Sequence, residues 1–363
     1  MKKRRKITAA ALAAAVFLNC QPSVCALSVS AESAIVMDAA TGQILYEKNA
    51  DRKSLIASTT KIMTGLLICE SGLDLKRECT VPDGAVGIEG SSLYLKKGET
   101  IRVETLLYGM LLQSGNDAAT ALAIVCSGSV EKFVSEMNER AKELGLCATH
   151  FANPSGLDSE ENYSTARDLA TLGAAAMQNP IFSEAVSAKS AQMDGRSFVN
   201  HNRLLWQYPG ALGIKTGYTK AAGRILVSCA EKNGRMLIAV TVRDANDWAD
   251  HAALLDGGFS QYRKCTLVQK GDFVGSVAIL GGQKSFAALN AERELCVWLL
   301  PHEQVRLRLD APTVAYAPIE EGAAGTLEAQ VGGRTIGSVR VDYAQSVPQN
   351  AAGDDCAERF FGG

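Results

Sequence analysis

Three short groups of residues could carry out acyl transfer together. In Ser58-Thr59-Thr60-Lys61 a serine stands at a helix start with a lysine three residues on, which puts both side chains on one face of a single turn. A serine hydroxyl is a weak nucleophile until a neighbouring base takes its proton, and Lys61 can reach it. The helix N-terminus adds backbone N–H groups and positive potential for the oxyanion that such an attack creates. Alone this pair reads as an N-cap and a solvated lysine. Two more groups sharpen it: Ser114-Gly115-Asn116 on a short loop between helical stretches, and Lys215-Thr216-Gly217 on a strand that opens a hairpin. Each triplet is common by itself, as a helix-terminal turn or an edge-strand lysine. The three in this order, on helix, loop and strand, are not.

The elements that must position them follow from apolar spacing. Residues 33–38 and 43–48 read as two strands joined through Ala40-Thr41-Gly42. A helix is expected over 59–69, two more over 103–112 and 117–126, and an amphipathic one over 130–144. Strands 223–230 and 235–242 flank Lys232-Asn233-Gly234, where Asn-Gly signals a tight hairpin. A helix over 248–255 then leads into Gly257-Gly258. Early and late strands with helices between them imply one antiparallel sheet covered by helices, an α+β fold. Beyond Cys265, apolar residues alternate or cluster over 274–280, 305–309, 327–331 and 335–341, which predicts a small all-β module. The expected division is therefore a signal peptide at 1–26, a catalytic domain at 27–262, a β-sandwich-like domain at 265–345 and a disordered tail at 346–363, the last from its Pro348, Asn350, Gly353, Asp354 and Asp355.

Lys2, Lys3, Arg4, Arg5 and Lys6 precede an apolar run over 7–18, the pattern of an export signal. The run falls short of the about 20 residues that a membrane span needs. Val24-Cys25-Ala26 and Val29-Ser30-Ala31 both offer small-residue cleavage sites, so the mature chain starts between residues 27 and 32, outside the cytoplasm. A lipid-attachment reading of Cys20 meets Asn19 where a small residue belongs. The 363 residues, 47% hydrophobic, can bury a substantial core, and a net charge of -2 excludes a nucleic-acid binder driven by basic charge. Of the ten cysteines two fall in the signal region and eight are scattered from Cys69 to Cys356, with no compact disulfide framework. Cys69, Cys126, Cys229 and Cys296 lie in apolar runs and are expected as free, buried thiols. His150, His201, His251 and His302 show no ligand spacing, so neither metal nor cofactor is expected.

The chain resembles the low-molecular-mass penicillin-binding proteins that are serine D-alanyl-D-alanine carboxypeptidases, relatives in fold of the class A β-lactamases. The resemblance extends beyond the three groups to Ala57-Ser58-Thr59-Thr60-Lys61-Ile62-Met63-Thr64, Asn153-Pro154-Ser155-Gly156-Leu157, Ser164-Thr165-Ala166-Arg167-Asp168 and Gly213-Ile214-Lys215-Thr216-Gly217-Tyr218. It covers residues 27–262 closely and the β module more loosely. It implies that Ser58 is acylated, Lys61 is the general base and Ser114 relays a proton toward the departing D-alanine. Asn116 would hold the substrate amide, and Lys215 and Thr216 the substrate carboxylate. The backbone N–H groups of Ser58 and Tyr218 would form the oxyanion hole. Gly217 would leave room for the substrate backbone, docked as an added strand. Peptidoglycan stem peptides and β-lactam antibiotics are the implied partners.

For Lys61 to accept a proton it must be neutral, yet a free lysine titrates near 10.4, about 3.4 units above pH 7 or roughly 4.6 kcal/mol. Partial burial and the charge of Lys215 both push it down. The 153–157 and 164–168 stretches need no catalytic role, since a structured turn and a helix N-cap at Ser164 or Thr165 account for them. Two departures from the family stand out. No arginine occupies the stretch before the last helix, which reads Asn246-Asp247-Trp248, leaving Arg243 as a secondary carboxylate anchor. The tail offers only Phe360 and Phe361 to a membrane. Three alternatives share the same residues: a β-lactamase, against which Ser114-Gly115-Asn116 stands where class A enzymes have Ser-Asp-Asn; a slow penicillin-binding sensor; and an endopeptidase of cross-links.

Overall fold

The computed structural model describes residues 28–301 and 303–350. The expected signal peptide lies outside the described residues. The chain divides into two compact units between Gln261 and Tyr262.

The first unit carries eight helices among its described residues: α1 (Lys61–Glu70), α2 (Val103–Gln113), α3 (Asn116–Ser127), α4 (Val130–Glu143), α5 (Ala166–Gln178), α6 (Pro180–Ser187), α7 (Leu204–Gln207) and α8 (Asp247–Phe259). They cover a five-stranded sheet in the order Ile44–Lys48, Ser33–Asp38, Arg235–Val242, Gly223–Lys232, Ala211–Thr219, with every neighbouring pair antiparallel. Asn233 and Gly234 take positive φ (56° and 73°) at the hairpin that joins two of these strands, the geometry that favours Asn-Gly there. The first hairpin turns on Asp38, whose Oδ1 accepts from the N–H groups of Ala40 and Thr41.

Residues two apart along these strands share a face, and the two faces meet different helices. Gly173 of α5 packs on Val227 and Ile238, whereas Gly258 of α8 packs on Val36 and Leu237 from the other side. The helix core rests on α2, whose Leu106, Leu107, Met110 and Leu111 are all buried. Truncating one such side chain to alanine costs about 2–5 kcal/mol. Helix α6 was not read from the sequence, and α5 only as a helix cap at Ser164 or Thr165. α5 starts at Thr165, whose side chain accepts from Asp168 N, and α6 starts at Asn179 with Pro180 in its first turn.

The second unit is all β. Its main sheet has six strands in the order Arg306–Asp310, Gly322–Val331, Arg334–Tyr343, Phe286–Ala291, Phe273–Leu280, Val314–Tyr316, beside a pair formed by Arg263–Val268 and Leu295–Leu299. The expectation of disorder from residue 346 does not hold for 346–350. Val347 is buried and bridges Ile319, and Asn350 N donates to Gly281 O at 2.9 Å. A single apolar anchor between polar neighbours carries no periodicity, so composition alone missed it. Residues 351–363 lie outside the described residues.

The seven described cysteines are free, but the expectation that those in apolar runs are buried holds only for Cys229. Cys69 and Cys126 are half-buried near the C-terminal ends of α1 and α3, and Cys296 is half-buried on a strand whose Leu295 and Val297 take the buried face. Burial still pushes the Cys69 thiol up to about 12, which leaves it unreactive.

Candidate active site

Ser58 sits in the 3-10 turn Ala57–Thr60 that runs directly into α1. The turn is entered through Ala57 in the left-handed region (φ 45°), a conformation that costs a non-glycine residue about 1–3 kcal/mol. It is held from three sides. Thr59 N and Oγ1 both donate to Ile56 O, at 3.1 and 2.6 Å. Asn162 Nδ2 donates to Thr60 Oγ1 at 3.0 Å. Gly156 approaches so closely that a Cβ there would lie 1.9 Å from Ala57 O.

Lys61, one turn on, is fully buried and its Nζ reaches three acceptors: Ser58 Oγ at 3.1 Å, Asn116 Oδ1 at 2.7 Å and Ser155 O at 2.5 Å. A neutral amine has two hydrogens and one lone pair. The amide oxygen and the backbone carbonyl take the two hydrogens, which leaves the lone pair facing the Ser58 hydroxyl. Burial holds the Lys61 ammonium well below its ordinary range, the charge of Lys215 adds to that, and Asp117 opposes it. Both forces expected from the sequence act, with burial the larger.

Asn116 opens α3, and its orientation is set by its other end, since Nδ2 donates to Glu89 O at 2.7 Å while its backbone N–H donates to Ser91 O at 2.7 Å. Asp117 ties the same loop down by accepting from Leu93 N, Leu95 N and Ser92 Oγ. Ser114 ends α2 in the left-handed region (φ 64°) and is almost fully buried. The structure thus joins Ser58, Lys61 and Asn116 by direct bonds and sets Ser114 two residues from Asn116, on the same tight connection between α2 and α3.

Lys215, Thr216, Gly217 and Tyr218 lie on the sheet-edge strand Ala211–Thr219. Lys215 and Gly217 pair with Val227 and Ile225, so both share the sheet face that carries α5. Lys215 is buried, its Nζ donates to Thr216 O at 3.0 Å, and burial lowers its pKa to about 7. A Cβ on Gly217 would come within 3.2 Å of Ile56 O and 3.3 Å of Ser58 N. The strand packs on the nucleophile turn at that point, which is a nearer reason for glycine than room for substrate. Tyr218 is exposed at 66%.

Arg243 follows the strand Arg235–Val242 with φ 53°, and its Nη2 donates to Ala221 O at 2.6 Å in the turn after Thr219. The guanidinium is therefore drawn to the hairpin tip. Asp247, where the sequence lacks an arginine, binds Arg224 of the adjacent strand through both carboxylate oxygens, at 3.0 and 2.9 Å.

The sequence reading missed what residues 153–157 supply. Asn153 Oδ1 accepts from the N–H groups of Ser155, Gly156 and Leu157, and the turn so formed presents Ser155 O to Lys61 and Pro154 O to Thr64 Oγ1. The signal was present as Asn-Pro-Ser-Gly, but a backbone acceptor leaves no mark in a side chain. The 164–168 stretch is structural as expected: Arg167 bonds Asp51 and Glu47, and Asp168 accepts from Ala148 N and Thr149 Oγ1. Among the described residues no group of three or more His, Cys, Asp or Glu side chains gathers in a way that could hold a metal. His251 is buried between Ser228 and Thr241 hydroxyls, and burial lowers its pKa to about 3.

The sequence signature of a family described as D-alanyl-D-alanine carboxypeptidase matches residues 20–246. D-alanyl-D-alanine carboxypeptidase DacF of Bacillus subtilis is 33% identical over 328 residues, covering 85% of this chain and 84% of the relative. DacC of Escherichia coli is 34% identical over 337 residues, covering 87% and 84%. Among solved structures, penicillin binding protein 5 from Haemophilus influenzae superposes with a TM-score of 0.63 at 27% identity, covering 91% of this chain and 100% of that one.

Proposed function

The chain belongs to the D-alanyl-D-alanine carboxypeptidase family, the serine hydrolases of cell-wall peptides that also bind penicillin, and from that premise we propose that Ser58 forms the acyl-enzyme with Lys61 as its base. The observation that carries this reading is the setting of Lys61 Nζ, where Asn116 Oδ1 and Ser155 O accept both hydrogens of a neutral amine and leave its lone pair to the Ser58 hydroxyl.

The reaction then runs in two halves. Lys61 takes the Ser58 proton as Oγ attacks the carbonyl carbon between the two terminal D-alanines. The oxyanion faces the backbone N–H groups of Ser58 and Tyr218, donors fixed in place before charge develops. The Ser114 hydroxyl passes its proton to the departing amine and takes one in return from the Lys61 ammonium, so the terminal D-alanine leaves and Lys61 is neutral again. Water, deprotonated by Lys61, hydrolyses the ester and restores Ser58. Asn116 holds the peptide amide, while Lys215 and Thr216, with Arg243 in a secondary part, hold the terminal carboxylate. Penicillin enters the first half-reaction as a mimic of the same dipeptide.

The export pattern at residues 1–26 supports a site of action in the cell wall or on the outer face of the membrane. Among the described residues no single helix is long and apolar enough to cross a membrane. Residues 27–262 are the catalytic domain in this reading, and 265–345 the appended β domain.

The test is to treat wild type and Ser58→Ala with a fluorescent penicillin and with a diacyl-tripeptide ending in D-Ala-D-Ala. Wild type should release D-alanine and keep a long-lived label on the peptide containing Ser58. The variant should do neither while its melting temperature stays within a few degrees of wild type, since the loss of one hydroxyl hydrogen bond costs about 1 kcal/mol. A label found by mass spectrometry on any other residue rejects the assignment, and rapid loss of label from wild type supports a lactamase instead.

A further inference from the structure

Residues 29–31 are built into the folded enzyme. Val29 and Ala31 are buried, at 6% and 0% exposure. Lys48 Nζ donates to both of their carbonyl oxygens, at 3.0 and 2.7 Å. Between them, Ser30 is held by two carboxylates from the far end of the unit. Its backbone N–H donates to Asp250 Oδ2 at 2.6 Å, and its Oγ lies 2.7 Å from Asp244 Oδ1 and 2.8 Å from Asp250 Oδ2. The two carboxylates therefore share the single Ser30 hydroxyl between them. Burial, with the Asp250 charge beside it, raises the pKa of Asp244. The next residue continues the attachment, Glu32 N donating to Val242 O at 3.1 Å.

Both cleavage sites offered by the sequence, after Ala26 and after Ala31, have small residues at the required positions. They have opposite consequences for this cluster. Cutting after Ala31 removes Ser30 and leaves Asp244, exposed at 1%, and Asp250, exposed at 8%, without the Ser30 donors, Asp244 keeping the Asn246 N–H at 2.9 Å. Buried carboxylates stripped of partners are strongly destabilising. Cutting after Ala26 leaves the whole attachment in place.

We propose that the export signal is removed between Ala26 and Leu27, so that residues 29–31 remain in the mature enzyme as a clasp closing the sheet onto α8. The proposal rests on reading residues 1–26 as an export signal. The bond to be cut lies outside the described residues. The step is a hydrolysis by a membrane signal peptidase: water adds across the Ala26–Leu27 amide, Ala26 departs with the new carboxylate, and Leu27 gains the new amino group.

The experiment is to express the full chain in an exporting bacterial host and determine the N-terminus and intact mass of the exported protein. A chain beginning at Leu27 is expected. A chain beginning at Glu32 overturns the proposal while leaving the export signal intact. An uncut chain beginning at Met1, or a lipid-bearing one beginning at Cys20, removes the reading of residues 1–26 on which the proposal rests. As a second measurement, chains produced to start at Leu27 and at Glu32 are melted side by side. Loss of the clasp should lower the melting temperature by about 5 °C or more, given roughly 2–4 °C per kcal/mol for a unit of this size. Equal melting temperatures overturn the clasp.

Discussion

Asn116 holds Lys61 through an amide that cannot turn over: its Oδ1 accepts from Lys61 Nζ at 2.7 Å because its Nδ2 is committed to Glu89 O, also at 2.7 Å. The amide thereby takes one hydrogen of the amine without adding charge. Asn116→Asp replaces a neutral acceptor by an anion, which favours the ammonium form of Lys61. The acid limb of penicillin acylation should then move to higher pH, with a loss at pH 7 of tenfold or more that is partly recovered by raising the pH. Rates of acylation measured across pH check this, and a pH-independent loss would show that the amide serves substrate alone.

Lys215 weakens the fold it belongs to. Its pKa in the folded chain is about 7, below the ordinary 10.5, so the unfolded chain binds more protons between these values and stability rises with pH across that window. Lys215→Met should remove that slope and stabilise the protein near neutral pH by on the order of 3–5 kcal/mol, less about 1 kcal/mol for the lost bond to Thr216 O. Activity on the peptide should vanish. Denaturant unfolding at several pH values reads the first effect; an unchanged or lower stability at pH 7 contradicts it.

If Arg243 grips the terminal carboxylate, Arg243→Ala should reduce kcat/KM on a free-carboxylate substrate by about tenfold or more, the worth of a charge-assisted hydrogen bond, and barely affect the corresponding amide. An equal effect on both would assign Arg243 to bracing the hairpin tip through Ala221 O.

Gly156 should tolerate no side chain. It combines φ 82° with a Cβ position 1.9 Å from Ala57 O and 2.9 Å from Ser58 N. Gly156→Ala is expected to lower both the acylation rate and the melting temperature, the rate by more than tenfold because the nucleophile turn itself must shift. Acylation at the wild-type rate would show that the turn can yield without cost.

The chemistry was legible where it is written in side chains. Ser58, Lys61 and Asn116 meet as their motifs imply, and Asn233-Gly234 marks its hairpin. What stayed hidden is written in backbone or in distant pairs: Ser155 O as an acceptor for Lys61, the Glu89 carbonyl that orients Asn116, and the Arg224 partner of Asp247. Helix α5 escaped although Thr165 was legible as its cap, and α6 because eight residues are too few to establish a helical period. Gly217 was read as making room for substrate, but the turn it touches first is the enzyme's own.

The strand Ala211–Thr219 pairs on one side only among the described strands, with Gly223–Lys232. Most proteins blunt such an edge with a bulge, a proline or a cover, because an open row of N–H and C=O groups recruits other chains. An enzyme that reads peptides by adding them as a strand must keep that row open. Solubility and substrate recognition therefore compete at a single strand, and a β-lactam held on Ser58 should slow aggregation of the concentrated protein by masking the surface that would otherwise seed it.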